Sequence, residues 1–198
     1  MHRSIFHALG LSAVLVLTGC QTVPKHTNPT PPPTLDGQAD ILSTQKFHLQ
    51  GKIGVRTPQQ SGSAFYTWLQ QDEQFDIELS GILGIGKTQI TGQPGQASLQ
   101  SAKTGLIQAE TAEELLAMTT GWYAPISYLV DWVQARPASI EAQTEQDSSG
   151  RNIVILEEGW RVELSYTQQE TLPNRLILKQ SLETGGENRI TMLIQNRE

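Results

Sequence analysis

The sequence predicts an α+β domain in which a curved antiparallel sheet has its apolar face covered by a pair of helices. Much of the chain alternates apolar and polar residues with the period of two that is typical of strands buried on one face. These stretches are separated by short turns containing Gly, Pro or Asn, as in an antiparallel meander. Only the middle of the chain has helical spacing. A sheet covered in this way can enclose a cavity if large side chains do not fill it.

The strands are predicted where the alternation is clearest. The longest alternations run through Phe47–Val55, Ala64–Trp68, Phe75–Leu79, Trp160–Tyr166 and Ile190–Ile194. Shorter strands are predicted at Thr88–Thr91, Ala97–Ser101, Ile153–Glu157 and Arg175–Gln180.

Two helices are predicted in the middle of the chain, between the strands Ala97–Ser101 and Ile153–Glu157. Thr111 and Glu114 fit a capping box, and the helix that they begin is expected to end at Gly121. The second helix begins near Pro125, a residue suited to a first helical turn, and ends before Pro137. Its apolar stripe is Ile126, Leu129, Val130 and Val133, with Trp132 flanking it.

The N-terminus has the features of an export signal. Residues 1–19 combine a basic start with an apolar core from Leu9 to Leu17, which is too short to span a bilayer. The following Leu17-Thr18-Gly19-Cys20 resembles the lipobox of bacterial lipoproteins, which implies that Cys20 is acylated and becomes the first mature residue. Gln21, in place of Asp, resembles the sorting signal of bacterial lipoproteins destined for the outer membrane and implies that location.

A tether is predicted after the lipidated cysteine. Residues 20–38 contain five of the ten prolines, and such a segment stays extended over up to roughly 50 Å. A short helix around Asp40–Gln45 is expected next. Residues 39–198 then form a single domain, which we expect to be monomeric and to face the periplasm.

Composition excludes several classes of function. The formal net charge of −6 argues against a nucleic-acid binder. The single cysteine excludes an intramolecular disulfide and a multi-cysteine zinc site. The mature chain has only His26 and His48, neither in a recognisable catalytic motif. We therefore expect no catalytic residue, no metal and no cofactor.

One stretch matches a nucleotide-binding pattern letter by letter. Gly81–Thr88 satisfies G-x-x-x-x-G-K-T, in which backbone amides and a following helix hold phosphates. Here Gly92, Pro94 and Gly95 follow within a few residues and suit a strand and a turn instead. We therefore predict no nucleotide site.

The same stretch places Ile82, Leu83 and Ile85 among glycines in a loop between two strands. Two interpretations remain open. The loop folds onto the core of its own domain, or it is an apolar finger that inserts briefly into a membrane. Burying each of these side chains would contribute roughly 1.5–3 kcal/mol, which permits insertion and release.

Large apolar residues of the strands and helices are candidates to line a lipid cavity. They are Trp68, Ile77, Leu79, Leu115, Leu116, Trp122, Trp132 and Trp160. Aromatic residues are equally expected in a filled core, so the candidates alone do not separate the two possibilities.

Taken with the lipobox, several segments in order resemble the LolB family of outer-membrane lipoprotein receptors. The segments are Trp68–Gln71, Leu79–Gly84, Thr120–Pro125 and Leu129–Pro137. The resemblance implies an open, incomplete antiparallel β-barrel with a helical lid and an apolar interior that accepts lipoprotein acyl chains. It also implies a soluble periplasmic carrier, LolA, as the partner that hands over this cargo.

The resemblance further implies that a loop leucine projects toward the membrane, and by position it is Leu83. The family usually has Pro before this leucine, whereas this chain has Ile82, and Ile85 reshapes the loop. Either Leu83 or Ile85 is then the apex. Trp122 and Tyr123 are bulkier than the family pattern and would narrow the mouth of the cavity.

The expected function is therefore a non-enzymatic receptor that accepts acylated lipoproteins and inserts them into the inner leaflet of the outer membrane. The alternative is a structural or assembly lipoprotein of the outer membrane with a filled core and no lipid ligand.

Overall fold

A computed structural model describes residues 45–81 and 86–198 of the chain. Several predictions lie outside these residues and are not addressed by it. They are the signal peptide, Cys20, the tether, the short helix around Asp40–Gln45 except Gln45 itself, and the loop residues Ile82, Leu83 and Ile85.

The described residues form eleven strands and two helices. The first six strands are β1 (Lys46–Arg56), β2 (Ser61–Gln71), β3 (Gln74–Ser80), β4 (Thr88–Gln93), β5 (Gln96–Ser101) and β6 (Gly105–Ala109). The helices α1 (Ala112–Thr120) and α2 (Ile126–Trp132) follow. The remaining strands are β7 (Gln143–Gln146), β8 (Asn152–Glu157), β9 (Trp160–Ser165), β10 (Arg175–Ser181) and β11 (Glu187–Arg197).

All eleven strands belong to one antiparallel sheet in the order β6-β5-β4-β3-β2-β1-β11-β10-β9-β8-β7. Strands adjacent in the chain pair as predicted, except β6 and β7, and the long β1–β11 ladder joins the two halves. Within the described residues, β6 and β7 form the two free edges, and the helical segment connects them. The sheet therefore stays open, and the predicted α+β class and incomplete barrel are confirmed.

Alternation decides which residues enter the core. On β2, Ala64, Tyr66 and Trp68 are buried, whereas Phe65 between them is 56% exposed. The inward residues of the sheet share one hydrophobic cluster with Leu115 and Leu129 of the helices. The helices therefore cover the same face to which the strands direct their apolar residues.

Two short strands were not predicted. Strands β6 and β7 lie at the edges of the sheet, and neither has a run of alternating apolar residues. Strand β7 consists of four exposed polar residues, so its sequence does not show the apolar alternation of a strand although it pairs with β8. Strand β11 is also longer than predicted, since it pairs along its length with β1 and β10.

Capping explains where α1 begins and ends. The Thr111 hydroxyl accepts a hydrogen bond from the Glu114 amide at 3.1 Å, as the capping box predicts. The Glu114 carboxylate accepts one from the Glu110 amide at 3.2 Å, one residue earlier than that motif requires. Gly121 ends the helix with φ of 76°, a left-handed conformation that glycine adopts without strain.

The start of α2 depends on a residue of α1. Pro125 takes the N-cap position and offers no side-chain hydrogen bond. The buried carboxylate of Glu113 instead accepts a 2.7 Å hydrogen bond from the Ser127 amide, which links the two helices. Trp132, predicted to flank the apolar stripe, is itself fully buried in the same cluster as Leu129 and Val130, and its indole bonds to Glu157 on β8.

Candidate functional site

A cavity of about 170 Å³ lies between the strands around β1 and β2 and the two helices. The described residues that line it carry no charged side chain. The strands contribute Ile53, Val55, Ala64, Tyr66, Trp68, Ile77, Leu79, Ile90, Ile190 and Met192. The helical segment contributes Leu116, Trp122, Ala124, Ile126 and Leu129. The cavity is therefore a hydrocarbon-lined space rather than a solvated cleft.

Polar lining residues are concentrated at one end of the cavity, where the β1–β2 turn meets the end of α1. They are Gln60, Ser61, Ser63 and Thr120. The Gln60 side-chain amide donates a 3.1 Å hydrogen bond to the Thr120 carbonyl. This bond joins the turn to the helical cover at the polar end of the cavity, which we call its mouth.

The polar atoms of the two buried aromatic residues in the wall have partners within the protein. The Trp68 indole donates a 2.9 Å hydrogen bond to the Gln70 side chain. The Tyr66 hydroxyl donates a longer one, 3.4 Å, to the Leu193 carbonyl. Burial raises the pKa of the Tyr66 phenol, and the positive charge of Arg197 opposes part of this rise. Tyr66 is therefore neutral at physiological pH, and the wall presents mainly carbon to a ligand.

The structure brings five of the eight predicted cavity residues to this space and leaves three elsewhere. Trp68, Ile77, Leu79, Leu116 and Trp122 line the cavity. Leu115, Trp132 and Trp160 are buried in the core but do not line it. Their contact with acyl chains, like that of the other five, stays a prediction.

The position of each of these three residues has a physical reason. Leu115 of α1 is fully buried in the core, whereas its neighbour on the same helix, Leu116, faces the cavity. Trp132 is held against β8 through Glu157, and Trp160 lies on β9 in the other half of the sheet.

Several lining residues were not among the predicted ones, although their signal was present. Ile53, Val55, Tyr66, Ile90 and Met192 occupy inward positions of strands recognised by their alternation. Alternation shows that such residues face inward, but it does not show whether they meet another side chain or an empty space. Of the pair predicted to narrow the mouth, Trp122 lines the cavity and Tyr123 is exposed.

The residues with possible catalytic or phosphate-binding chemistry have structural partners. Lys87 of the nucleotide-like pattern forms a 2.5 Å ion pair with Glu78, and strand β4 follows it instead of a helix. His48 lies 3.6 Å from the carboxylate of Glu198.

In the described part of the chain, no three His, Cys, Asp or Glu side chains come together as metal ligands. Neither of the two described helices has the length and apolarity to cross a bilayer.

Comparison of the sequence with known proteins identifies its family. The family model described as "Outer membrane lipoprotein LolB" matches residues 45–196. The outer-membrane lipoprotein LolB of Stutzerimonas stutzeri is 35% identical over 190 residues, which cover 92% of this chain and 90% of that relative. The LolB protein of Pseudomonas paraeruginosa is 36% identical over 203 residues, covering 95% and 93%.

A LolA superfamily protein from Nitrosomonas europaea, of known crystal structure, aligns with a TM-score of 0.45 and 13% sequence identity over 82% of this chain and 90% of that chain. Together, the family model and the relatives show that this chain is an outer-membrane lipoprotein of the LolB family.

Proposed function

We propose that this protein accepts acylated lipoproteins from a soluble periplasmic LolA-like carrier and inserts them into the inner leaflet of the outer membrane. The observation that carries this function is the apolar cavity with its mouth at one end of the sheet, in a chain of the LolB family. It is a receptor and not an enzyme. Acylated Cys20 holds it to the membrane, and the tether lets a monomeric domain reach its carrier.

The chemistry of the cavity supports an acyl chain as its ligand. Each methylene group that leaves water for the cavity contributes about 0.8 kcal/mol to the binding free energy. A wall without charged side chains offers few interactions that would hold a polar ligand. The volume of 170 Å³ is close to that of an engineered apolar cavity of about 150 Å³ that binds benzene. A space of this volume therefore admits only part of one acyl chain.

Admission of more lipid requires the helical cover to move. Helices of nine and seven residues are too short to be stable alone, so packing and the Gln60–Thr120 hydrogen bond keep them in place. When the cover moves, an entering acyl chain packs against Leu116 and Trp122, which line the cavity from the helical side. The alternative of a structural lipoprotein with a filled core would leave no space of this size.

Delivery also uses the mouth end of the sheet. Strand β3 ends there with Ser80 opposite Phe65, and β4 begins there with Thr88 opposite Ser101. The intervening loop, with Ile82, Leu83 and Ile85, is the finger that contacts the bilayer. If affinity for acyl chains rises from carrier to receptor to bilayer, each transfer is downhill and needs no nucleotide.

The direct test is cargo transfer in solution. The mature chain with Cys20→Ala, which lacks only the acyl anchor, is mixed with a carrier that holds a fluorescent lipoprotein. We expect the lipoprotein to move to this chain and then into added liposomes. If the lipoprotein stays on the carrier at every ratio of the two proteins, the receptor function is wrong.

A further inference from the structure

Four basic residues lie in one row across the outer face of the sheet. Arg56 of β1 is paired with Arg189 of β11, Arg189 with Lys179 of β10, and Lys179 with Arg161 of β9. We call these four residues the basic row. It concentrates positive charge in a chain whose formal net charge is −6.

Such a row costs stability, because like charges directly opposite each other in antiparallel strands repel. Carboxylates offset part of the repulsion. Glu163 lies 2.7 Å from Lys179 and 3.3 Å from Arg161, and Glu187 lies 3.1 Å from Arg189. Arg56 does not take part in any ion pair found among the described residues. The row therefore keeps its free positive charge at the β1 end.

That end of the row borders the mouth of the apolar cavity. Arg56 and Arg189 line a depression of about 430 Å³ on the outer face, together with the hydroxyl-bearing residues Ser61, Ser63 and Thr191. Four residues line both this depression and the cavity, namely Val55, Ser61, Gly62 and Ser63. A group bound between the two arginines would thus lie beside the cavity mouth.

The depression suits a phosphate group at a surface. Two guanidinium groups supply charged donors, hydroxyl groups supply neutral ones, and Gly54 and Gly62 leave the strand backbone uncovered. On the same face, Lys52 stacks on the exposed ring of Phe65 at 4.8 Å. Cations beside an exposed aromatic residue are the combination expected where a protein meets a bilayer.

We propose that Arg56 and Arg189 bind the phosphate groups of anionic phospholipids and that the basic row thereby orients the cavity mouth toward the outer membrane. The inference builds on the proposed function, which requires the mouth to reach the bilayer but does not say what turns it there. A flexible tether at Cys20 restricts distance and leaves orientation free. The basic row supplies the orientation.

The test measures vesicle binding of the mature chain with Cys20→Ala. Binding to phosphatidylcholine vesicles is compared with binding to vesicles that also contain phosphatidylglycerol, at low and at physiological salt. The variant Arg56→Gln/Arg189→Gln removes two charges from the row. The matched control, Lys46→Gln/Arg175→Gln, removes two exposed charges from the opposite ends of β1 and β10.

We expect binding to depend on phosphatidylglycerol and to fall by roughly fivefold for each arginine removed from the row. The control variant should lose much less. Because the substitutions relieve repulsion between Arg56 and Arg189, the melting temperature should not fall. A loss of vesicle affinity without a loss of stability distinguishes a binding role from a structural one.

Three results would overturn the inference. One is vesicle binding that does not depend on phosphatidylglycerol, and another is an equal loss in the row and control variants. The third is normal vesicle binding of the row variant with impaired receipt of cargo, which would assign this face to docking of the carrier. If the protein with its basic row intact fails to accept cargo in solution, that result counts against the proposed function instead. Receipt of cargo in solution does not require the basic row.

Discussion

The Trp132 indole donates a 2.7 Å hydrogen bond to the carboxylate of Glu157, and both side chains are buried. The same carboxylate oxygen accepts a 3.0 Å hydrogen bond from the Ala138 amide. One ionised group on β8 therefore holds the end of α2 and the chain that leaves it. This contact fixes the end of α2 that does not line the cavity.

Glu157→Gln should weaken this attachment and change its dependence on pH. Burial acts to raise the pKa of Glu157, but hydrogen bonds from Ala138, Ser139 and Trp132 outweigh it and hold the pKa below its usual value. A lowered pKa stabilises the fold above the ordinary value of 4.5, and this contribution is lost as the pH falls through the lower folded value. The substitution should cost about 1–2 kcal/mol at neutral pH and progressively less in acid.

Urea denaturation over a range of pH measures this difference. Glu158→Gln, at the exposed neighbouring position, serves as the control and should change stability little at any pH. A difference for Glu157→Gln that stays constant or grows in acid would contradict the role assigned to the ionised carboxylate.

Gly51→Ala should be among the most damaging small substitutions in the sheet. A Cβ at this position would lie 1.8 Å from the Leu193 carbonyl oxygen, where β1 shifts register against β11. The backbone must move to relieve the clash, so we expect a loss of about 3 kcal/mol or more in unfolding free energy.

Gly54→Ala on the same strand is the matched control for Gly51→Ala. Its Cβ would meet only the Gly62 carbonyl oxygen, at 3.9 Å. Thermal unfolding of the two variants should therefore differ widely. Equal stability would show that the β1–β11 ladder tolerates the added methyl group.

Ala64→Leu should fill the cavity from its wall. Ala64 is buried and faces the cavity, so the larger side chain enters empty space and should raise stability by about 0.5–2 kcal/mol. A fluorescent apolar probe should bind to the unaltered protein and bind roughly tenfold more weakly to the variant. Thr67→Leu adds an apolar side chain on the outer face of the same strand and should leave probe binding unchanged. Normal probe binding by Ala64→Leu would place the ligand elsewhere.

Leu83→Glu should separate receipt of cargo from its delivery. A charged residue at the loop apex opposes entry into the bilayer, and loss of the leucine removes roughly 1.5–3 kcal/mol of burial. Delivery into liposomes should slow by roughly tenfold or more, while transfer from the carrier continues. Ile85→Glu tested in parallel identifies the apex. If both variants deliver cargo at the normal rate, the loop is not the membrane-inserting element.

Much of the fold could be predicted from local pattern because period-two alternation directly reflects burial on one face of a strand. Strands β1, β2 and β3 follow this rule. The start of α1 was predictable for another local reason, the capping spacing of Thr111 and Glu114. Strands β6 and β7 escaped prediction because they are short and none of their residues is fully buried, so neither has an apolar face that alternation could mark.

The candidate site was only partly predictable for a related reason. Trp68, Ile77 and Leu79 were recognised as large apolar residues and do line the cavity. Trp132 and Trp160 are equally large and apolar, but they are buried in the core and do not line it. Whether an inward side chain meets a neighbour or an empty space depends on residues far away in the chain.

By itself, the sequence determined the lipobox around Cys20, the inward set of residues on each long strand and the resemblance to the LolB family, because these depend on local order and spacing. Tertiary structure alone decided where the cavity lies and which residues share a row. Arg56 and Arg189 are 133 positions apart in number, and only the β1–β11 ladder places them side by side. Cross-strand register is set by packing over the whole sheet, and the chemistry beside the cavity mouth follows from it.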